Sequence, residues 1–334
     1  MKKVNVDPTT KTVTAQGGAL WADVNKSAAQ HSLAVVSGTF SQVGVGGLTL
    51  RGGYGYLTPQ YGLALDNLIS ATVVVADGRI LRAAREENAD LFWVVQGAGP
   101  TIGVVAELVF QAHGQHDNVW NGMRTYPKEK LPEVIRALNE ALVHPEGKAA
   151  AQCVFSLLPE TKESIVITVL FFNGSEEEGR THFSSLLQLE CVSCTMKMKP
   201  YEDANVLLDQ VAPPGGRKKL IGLPFIPPIR PEFASNMMQE VSRQLTTETD
   251  MAHSSIEIEF LDLSRVRRVP IASTSFPARN QTMNGAIILQ WTDPNNDGKF
   301  LEWGNKIHAM CEEELRWAGH RPDSLVSNFL GFTQ

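Results

Sequence analysis

A connected glycine segment is the part of this sequence whose residue types most directly suggest chemistry. Residues 43–56 read Val-Gly-Val-Gly-Gly-Leu-Thr-Leu-Arg-Gly-Gly-Tyr-Gly-Tyr, so six of these fourteen residues are glycine. Because glycine has no Cβ, its main chain can approach a ligand closely and can turn through positive φ. The composition predicts a main-chain cradle around a large, flat or phosphorylated molecule. The alternative is a glycine-rich surface loop that binds nothing.

The spacing of these glycines differs from two common nucleotide-binding motifs. A dinucleotide fingerprint needs G-x-G-x-x-G, but Thr49 and Thr58 stand where the third glycine should be. A second glycine-rich stretch, residues 97–103, is followed by Val104 and not by the lysine of a Walker loop. A nicotinamide-dependent Rossmann enzyme is therefore disfavoured, and a nucleotide cofactor needs another fold.

Few other side chains suggest a reaction. Tyr56, inside the glycine segment, is a candidate active-site phenol, although a packed ring with a hydrogen-bonded hydroxyl explains it equally simply. Cys191 and Cys194 have the spacing of half a zinc site or of a redox dithiol, but no second Cys or His pair follows. We interpret them as incidental thiols and predict no metal site.

Composition limits the classes of partner. The net charge of the 334 residues is −6 and no basic block occurs, which argues against nucleic acid. No run approaches the roughly 18 to 20 apolar residues of a membrane span. The charged start of the chain has no apolar stretch behind it, so nothing directs secretion and the cytoplasm is the default location. A small-molecule substrate is the expected partner, and the oligomeric state is open.

The elements that position the glycine segment mix short strands with short helices. We expect a strand pair over Val4–Asp7 and Thr12–Ala15, followed by a helix over Leu20–His31. A hairpin is expected around Asp77-Gly78, with strands Leu68–Ala76 and Arg79–Ala83. A short helix over Asp90–Gln96 and a buried strand over Gly103–Ala112 are expected to follow. Asp66 and Asn67 are expected to turn the chain into the hairpin through bonds to nearby main chain.

Beyond about residue 118, long helical patterns alternate with strands. Helices are predicted over Leu131–Leu142, Gly179–Leu189, Pro231–Thr247 and Phe300–Ala318. Strands are predicted over Ala149–Leu158, Ser164–Phe172, Ser255–Leu263 and Gly285–Thr292. The fold class is therefore α+β, with an antiparallel sheet that helices cover on one face.

These motifs, in their order, resemble the flavoprotein oxidoreductases of the vanillyl-alcohol-oxidase superfamily, which have a PCMH-type FAD-binding domain. The berberine-bridge-enzyme-like group is the most similar. The resemblance is carried by residues 6–8, 17–24, 43–47, 52–55, 61–68, 76–79, 90–93, 97–99 and 103–105, and more weakly by 276–279 and 326–329.

The resemblance implies an FAD-binding domain over residues 1–116 and a substrate-binding domain over 117–334. It implies that FAD contacts Val43, Gly44, Gly46, Gly47, Gly52, Gly53, Gly55, Gly103 and Val105. Main-chain N–H groups in such turns can satisfy phosphate and flavin oxygens without a basic patch. The implied reaction is hydride transfer from an alcohol, sugar or amine C–H to flavin. The small Val43 favours oxygen as electron acceptor.

Three departures from the family pattern bear on this expectation. The segment that carries the flavin-linking histidine does not precede Met1, and Phe40 replaces a second linking cysteine, so the flavin would be non-covalent. Val326 stands where relatives often place a catalytic tyrosine, close to the end of the chain. The sequence thus looks truncated at both ends, and the alternative function is a remnant or incomplete gene product that does not retain FAD.

The catalytic base is the least certain expectation. In the family it commonly lies on the strand that here spans residues 284–291, where Asn284 and Gln290 are the available polar side chains. Neither titrates near pH 7, so neither can accept a proton as a carboxylate could. We take Tyr56 and Gln290 as the candidate catalytic residues.

Overall fold

The computed structural model describes residues 1–158, 161–209, 215–279 and 283–320. It contains two large antiparallel sheets with helices packed on them, which confirms the α+β class. The motif that includes Val326 lies outside the described residues. Among the described helices, none has both the length and the apolar composition needed to cross a bilayer.

The first sheet has five strands. Its spatial order is β1-β2-β6-β4-β5, and a separate two-stranded ladder joins β3 to β7. The strands are β1 (Val4–Asp7), β2 (Thr12–Gln16), β3 (Leu33–Ala34), β4 (Leu68–Val74), β5 (Ile80–Ala84), β6 (Val104–Gln111) and β7 (His113–Gly114). Four helices accompany them: α1 (Trp21–Ala29), α2 (Val45–Thr49), α3 (Thr58–Tyr61) and α4 (Ala89–Ala98).

This part of the chain has its own core. α1 buries Trp21 and Val24 against the sheet, and the Trp21 ring lies 5.6 Å from the Phe110 ring of β6. The predicted hairpins are confirmed, since β1 pairs with β2 and β4 pairs with β5. The glycine segment therefore lies on a packed scaffold.

The second sheet has eight strands in the order β11-β8-β10-β9-β14-β15-β13, with β12 also paired to β8. The strands are β8 (Val119–Pro127), β9 (Ala149–Leu157), β10 (Ser164–Phe172), β11 (Ser193–Cys194), β12 (Lys197–Lys199), β13 (Arg217–Phe225), β14 (Ser255–Leu261) and β15 (Met283–Trp291). The helices are α5 (Leu131–Glu140), α6 (Glu176–His182), α7 (Ser184–Leu187), α8 (Pro231–Thr247), α9 (Ser264–Arg267) and α10 (Asp297–Trp317).

One face of this sheet is covered by helices, as predicted. Alternate strand residues point into a large apolar core with α5, α8 and α10. On β14 these residues are Ile256, Ile258 and Phe260. Because side chains alternate along a strand, the residues between them face the opposite side of the sheet.

The sequence did not predict four strands of this sheet, namely the short β11 and β12 and the longer β8 and β13. β8 contains Gly122 and Arg124, and β13 begins with three basic residues and contains Pro224. These residues interrupt the alternation that identifies a strand. The strands form because neighbours hold them: β13 pairs with β15 over nine residues, and β8 pairs with β10 over eight.

The opposite face of the second sheet meets the first part of the chain. A third apolar cluster joins Tyr56 and Leu63 to Phe171 and Phe276. A buried ion pair crosses the same junction: Arg279 Nη2 lies 2.7 Å from Asp66 Oδ1, with side chains 1% and 8% exposed. Asp66 and Asn67 also bond to nearby main chain, so their predicted turn role is confirmed.

Candidate functional site

The start of the glycine segment leaves main chain uncovered. A Cβ built on Gly44 or Gly47 would meet nothing within 4 Å. Gly47 is exposed, and Val43 and Gly44 are half-buried. Since no protein contact explains the missing side chains here, open space beside Gly44 and Gly47 is compatible with a large ligand. The residues present therefore fit a cofactor held by main chain.

The remaining glycines of the segment are required by the packing of the protein itself. A Cβ on Gly55 would lie 1.7 Å from the Ser37 carbonyl oxygen, and one on Gly53 would lie 2.4 Å from a Leu48 methyl carbon. The corresponding distance for Gly46 is 3.1 Å, to the Gly17 oxygen, and for Gly52 it is 2.8 Å, to the Phe276 ring. Contact of these four glycines with FAD stays a prediction.

Gly103 and Val105 lie at the start of β6. Gly103 has φ +154°, and a Cβ there would lie 2.3 Å from the Val74 oxygen. Val105 is buried and pairs with Val73 of β4. Both positions are thus accounted for by the sheet, and their contact with the adenosine side stays a prediction.

Tyr56 ends the glycine segment on the polar face of the second sheet. Its ring is fully buried and stacks on Phe171, with ring centroids 4.8 Å apart. Its hydroxyl donates to Gln152 Oε1 at 3.2 Å. Burial, together with the nearby carboxylate Glu257, raises the pKa of Tyr56 well above its ordinary value. The phenol therefore stays protonated and acts as a hydrogen-bond donor.

Two glutamates of β14 face the junction. Glu257 and Glu259 alternate with the helix-facing residues, and they are only 6% and 5% exposed. In the strand register, Glu259 lies opposite Gln152 of β9 on one side, and Glu257 lies opposite Ala286 of β15 on the other. Gln152 Nε2 donates to Glu257 Oε1, and the amide groups of Gln152 and Asn284 act on Glu259 so as to lower its pKa.

Burial sets the electrostatics of this pair. It raises the pKa of both carboxyls, and the charge of Glu259 raises that of Glu257 further. The amide side chains of Asn284 and Gln152 oppose the rise in the pKa of Glu259 because they favour its ionised form. Glu259 Oε2 is buried and has no partner among the described residues. A carboxylate with a raised pKa and a free oxygen is suited to accept a proton near neutral pH.

Sequence reasoning missed this pair. The pattern Ile-Glu-Ile-Glu of residues 256–259 is typical of a strand with one face in water, so the glutamates drew no attention. β14 lies between two other strands, and residues of the first part of the chain cover its polar face, so the glutamates are buried instead. Only the pairing of β14 with both β9 and β15 reveals this, and that pairing is not visible in the local sequence.

The two predicted catalytic residues are not brought together. Gln290 and Asn284 are both buried and point to the same face of β15. They are six residues apart, which corresponds to about 20 Å along the strand. Its Nε2 donates to the His253 carbonyl oxygen at 3.0 Å. Tyr56 lies instead beside Gln152 and the glutamates. The catalytic roles of Tyr56 and Gln290 stay predictions.

Comparison with known proteins gives the family. Residues 1–84 match the model of an FAD binding domain. The chain is 30% identical over 335 residues to the FAD-linked oxidoreductase pgmH of Aspergillus terreus, with 96% of this chain and 67% of that protein covered. The predicted family and the FAD cofactor are therefore confirmed.

Solved structures share the fold. One is 6-hydroxy-D-nicotine oxidase from Arthrobacter nicotinovorans, with a TM-score of 0.77 and 24% identity over 96% of this chain and 69% of that one. Another is a carbohydrate oxidase from Microdochium nivale, with a TM-score of 0.74 and 20% identity over 92% and 68% of the two chains. At these identities the likeness establishes the fold alone.

Proposed function

The chain belongs to the FAD-linked oxidoreductases, and we propose that it transfers a hydride from a C–H bond of an alcohol, sugar or amine to FAD, with oxygen as the final electron acceptor. The observation that carries this proposal is what the two ends of one segment, residues 44–56, contact. Residues 44–56 begin with uncovered main chain at Gly44 and Gly47. They end at Tyr56, which is hydrogen-bonded to Gln152; the Gln152 amide donates to the buried Glu257, and Glu259 lies opposite Gln152 in the strand register.

In this proposal, one group of residues binds the cofactor and another accepts the proton. Val43, Gly44 and Gly47 would hold the cofactor, which supplies the hydride acceptor when bound. Glu257 and Glu259 would accept the proton of the substrate O–H or N–H as the adjacent C–H bond breaks. Their burial excludes water from the carboxylates, so that the substrate is the group from which they take a proton.

The names of the structural relatives support the choice of substrate class. One relative is an oxidase of 6-hydroxy-D-nicotine, an amine, and another is a carbohydrate oxidase. In an alcohol or a sugar, the hydroxyl on the oxidised carbon can give up its proton to a base. Val43 is half-buried beside Gly44, and a side chain as small as valine would leave room for oxygen, which supports oxygen as the acceptor.

The first test is flavin uptake by the full chain. Purified protein should be yellow, and Gly47→Val should weaken FAD binding at least tenfold because a side chain would enter the space left for the cofactor. The fold should tolerate the change, since a Cβ at Gly47 meets nothing within 4 Å. Gly298→Val is the matched control: it is also an exposed helical glycine with nothing within 4 Å. Colourless protein that takes up no added FAD would contradict the proposal.

The second test is the reaction. A panel of alcohols, sugars and amines is mixed with the FAD-loaded protein, and flavin bleaching and oxygen uptake are followed. Glu257→Gln with Glu259→Gln should lower the bleaching rate at pH 7 by roughly 10²- to 10⁴-fold, the usual range for loss of a general base. FAD affinity should not change. Glu129→Gln, on an exposed turn, is the control. An unchanged rate in the double variant would remove the carboxylates from the reaction.

A further inference from the structure

Three side chains form a buried chain of hydrogen bonds. The Tyr56 hydroxyl donates to Gln152 Oε1 at 3.2 Å, and Gln152 Nε2 donates to Glu257 Oε1. Glu259 lies opposite Gln152 in the register of β14 and β9, on the same face of the sheet as Glu257. Because an ionised carboxylate can only accept, the NH₂ end of Gln152 faces the glutamates whenever Glu257 is ionised, and its oxygen is then left to accept from Tyr56.

All four side chains are buried: Gln152 and Tyr56 are 0% and 1% exposed, and Glu257 and Glu259 are 6% and 5% exposed. The Phe171 ring stacks on Tyr56. At this degree of burial, water does not replace the hydrogen bonds that link the phenol, the amide and Glu257.

We propose that Gln152 is a positioning residue that holds Glu257 and Glu259 side by side as a single proton-accepting unit, and that Tyr56 acts only through Gln152. The catalytic consequence rests on the proposed function. No proton passes through the amide. The N–H groups of the Gln152 amide stabilise the ionised form of a neighbouring carboxyl. Burial and the charge of the other glutamate favour its protonated form instead. The Tyr56 hydroxyl donates to the Gln152 amide oxygen, and this hydrogen bond keeps the amide N–H groups directed at the glutamates.

Few other charged groups face this unit. Asn284 on β15 contacts Glu259, and the ionisable groups nearest Tyr56 besides the glutamates are Tyr201 and Asp209. Among the described residues, neither Glu257 nor Glu259 takes part in an ion pair with a lysine, arginine or histidine within 4.0 Å. The amide donors are thus the main groups that stabilise negative charge on the pair.

The test uses the full FAD-loaded chain and Gln152→Met, which keeps the length of the side chain but has no N–H donor. The infrared band of protonated carboxyls, assigned by its loss in Glu257→Gln and Glu259→Gln, is followed against pH. In Gln152→Met the midpoint of carboxyl ionisation should rise by at least one pH unit. The pH profile of kcat should shift in the same direction, with at least a tenfold loss at pH 7 and little change in KM. An unchanged infrared midpoint would overturn the inference.

Tyr56→Phe separates positioning from direct catalysis. A positioning role predicts a smaller rise of the same infrared midpoint and a loss of kcat of a few fold. A loss of a hundredfold or more at every pH, with the midpoint unmoved, would show that Tyr56 acts on the substrate and would overturn its assignment. Asn121→Leu is the control, because Asn121 is another fully buried amide of the sheet and bonds to the Leu170 oxygen.

The two proposals fail separately. The infrared midpoint does not depend on turnover, so it decides the role of Gln152 even if no substrate reduces the flavin. If the wild-type chain shows no flavin reduction with any substrate, the proposed function fails. If turnover depends on the glutamates but the midpoint does not respond to Gln152→Met, only the inference fails.

Discussion

The two faces of the eight-stranded sheet are built from the same strands but serve opposite purposes. The face under α5, α8 and α10 is apolar along β14, with Ile256, Ile258 and Phe260 in one core. The face at the junction carries Glu257, Glu259 and their amide partners, buried to a similar degree. A buried carboxyl costs free energy, whereas a buried aromatic ring provides it. One face therefore stabilises the sheet, and the other carries the buried carboxyls for which a catalytic role is proposed here.

Removal of a helix-facing ring should produce the largest loss of stability. Phe260→Ala should lower the free energy of unfolding by about 3 to 5 kcal/mol, because it deletes a ring that is 2% exposed in the main core. Leu220→Ala is the matched control on the other face of β13, where Leu220 is 39% exposed. Chemical denaturation measures both. Equal losses would mean that the two faces do not differ as described.

The junction can be tested through its ion pair. Asp66→Ala should cost roughly 3 kcal/mol, since it leaves the buried Arg279 guanidinium without its carboxylate. Glu87→Ala removes an exposed partner of Arg82 and should leave stability unchanged within error. Thermal unfolding of both variants provides the comparison. A small effect of Asp66→Ala would show that the junction contributes little to folding.

The smallest expected effect concerns pH. Because the folded state raises the pKa of Glu257 to about 8 and of Glu259 to about 7, it holds protons that the unfolded chain releases near pH 4.5. Stability present at low pH should therefore be lost as pH rises from about 4.5 to about 8. The double variant Glu257→Gln with Glu259→Gln removes this loss, so its stability relative to wild type should be higher at pH 8 than at pH 5. Equal slopes against pH in the two proteins would contradict the raised values.

The two faces also differ in how well the sequence predicted them. The apolar periodicity of α5, α8 and α10 identified the helices, and α8 spans Pro231–Thr247 as expected. Asp77-Gly78 likewise identified its hairpin. Local pattern suffices for these elements because one turn or one face determines each of them. The family could also be identified from the sequence, because each of its motifs is a short run of consecutive residues.

The carboxylate site depends on contacts that local patterns do not contain. Gln152 and Glu257 are 105 residues apart, and their meeting depends on strand order. The same holds for Asp66 and Arg279, which are 213 residues apart. A glutamate that alternates with isoleucine looks solvated until the neighbouring strands and the residues that cover them are known. The sequence therefore indicated the cofactor but not the glutamates proposed here as proton acceptors.

β14 is held by a ladder on each side, with β9 and with β15. The backbone cannot move outward to return its two acids to water without giving up one of those ladders. Descendants of this protein that no longer needed the reaction would therefore be expected to replace both glutamates with neutral residues and keep the strand in place. In related genomes, the identity of these two positions should thus tell active copies from decayed ones.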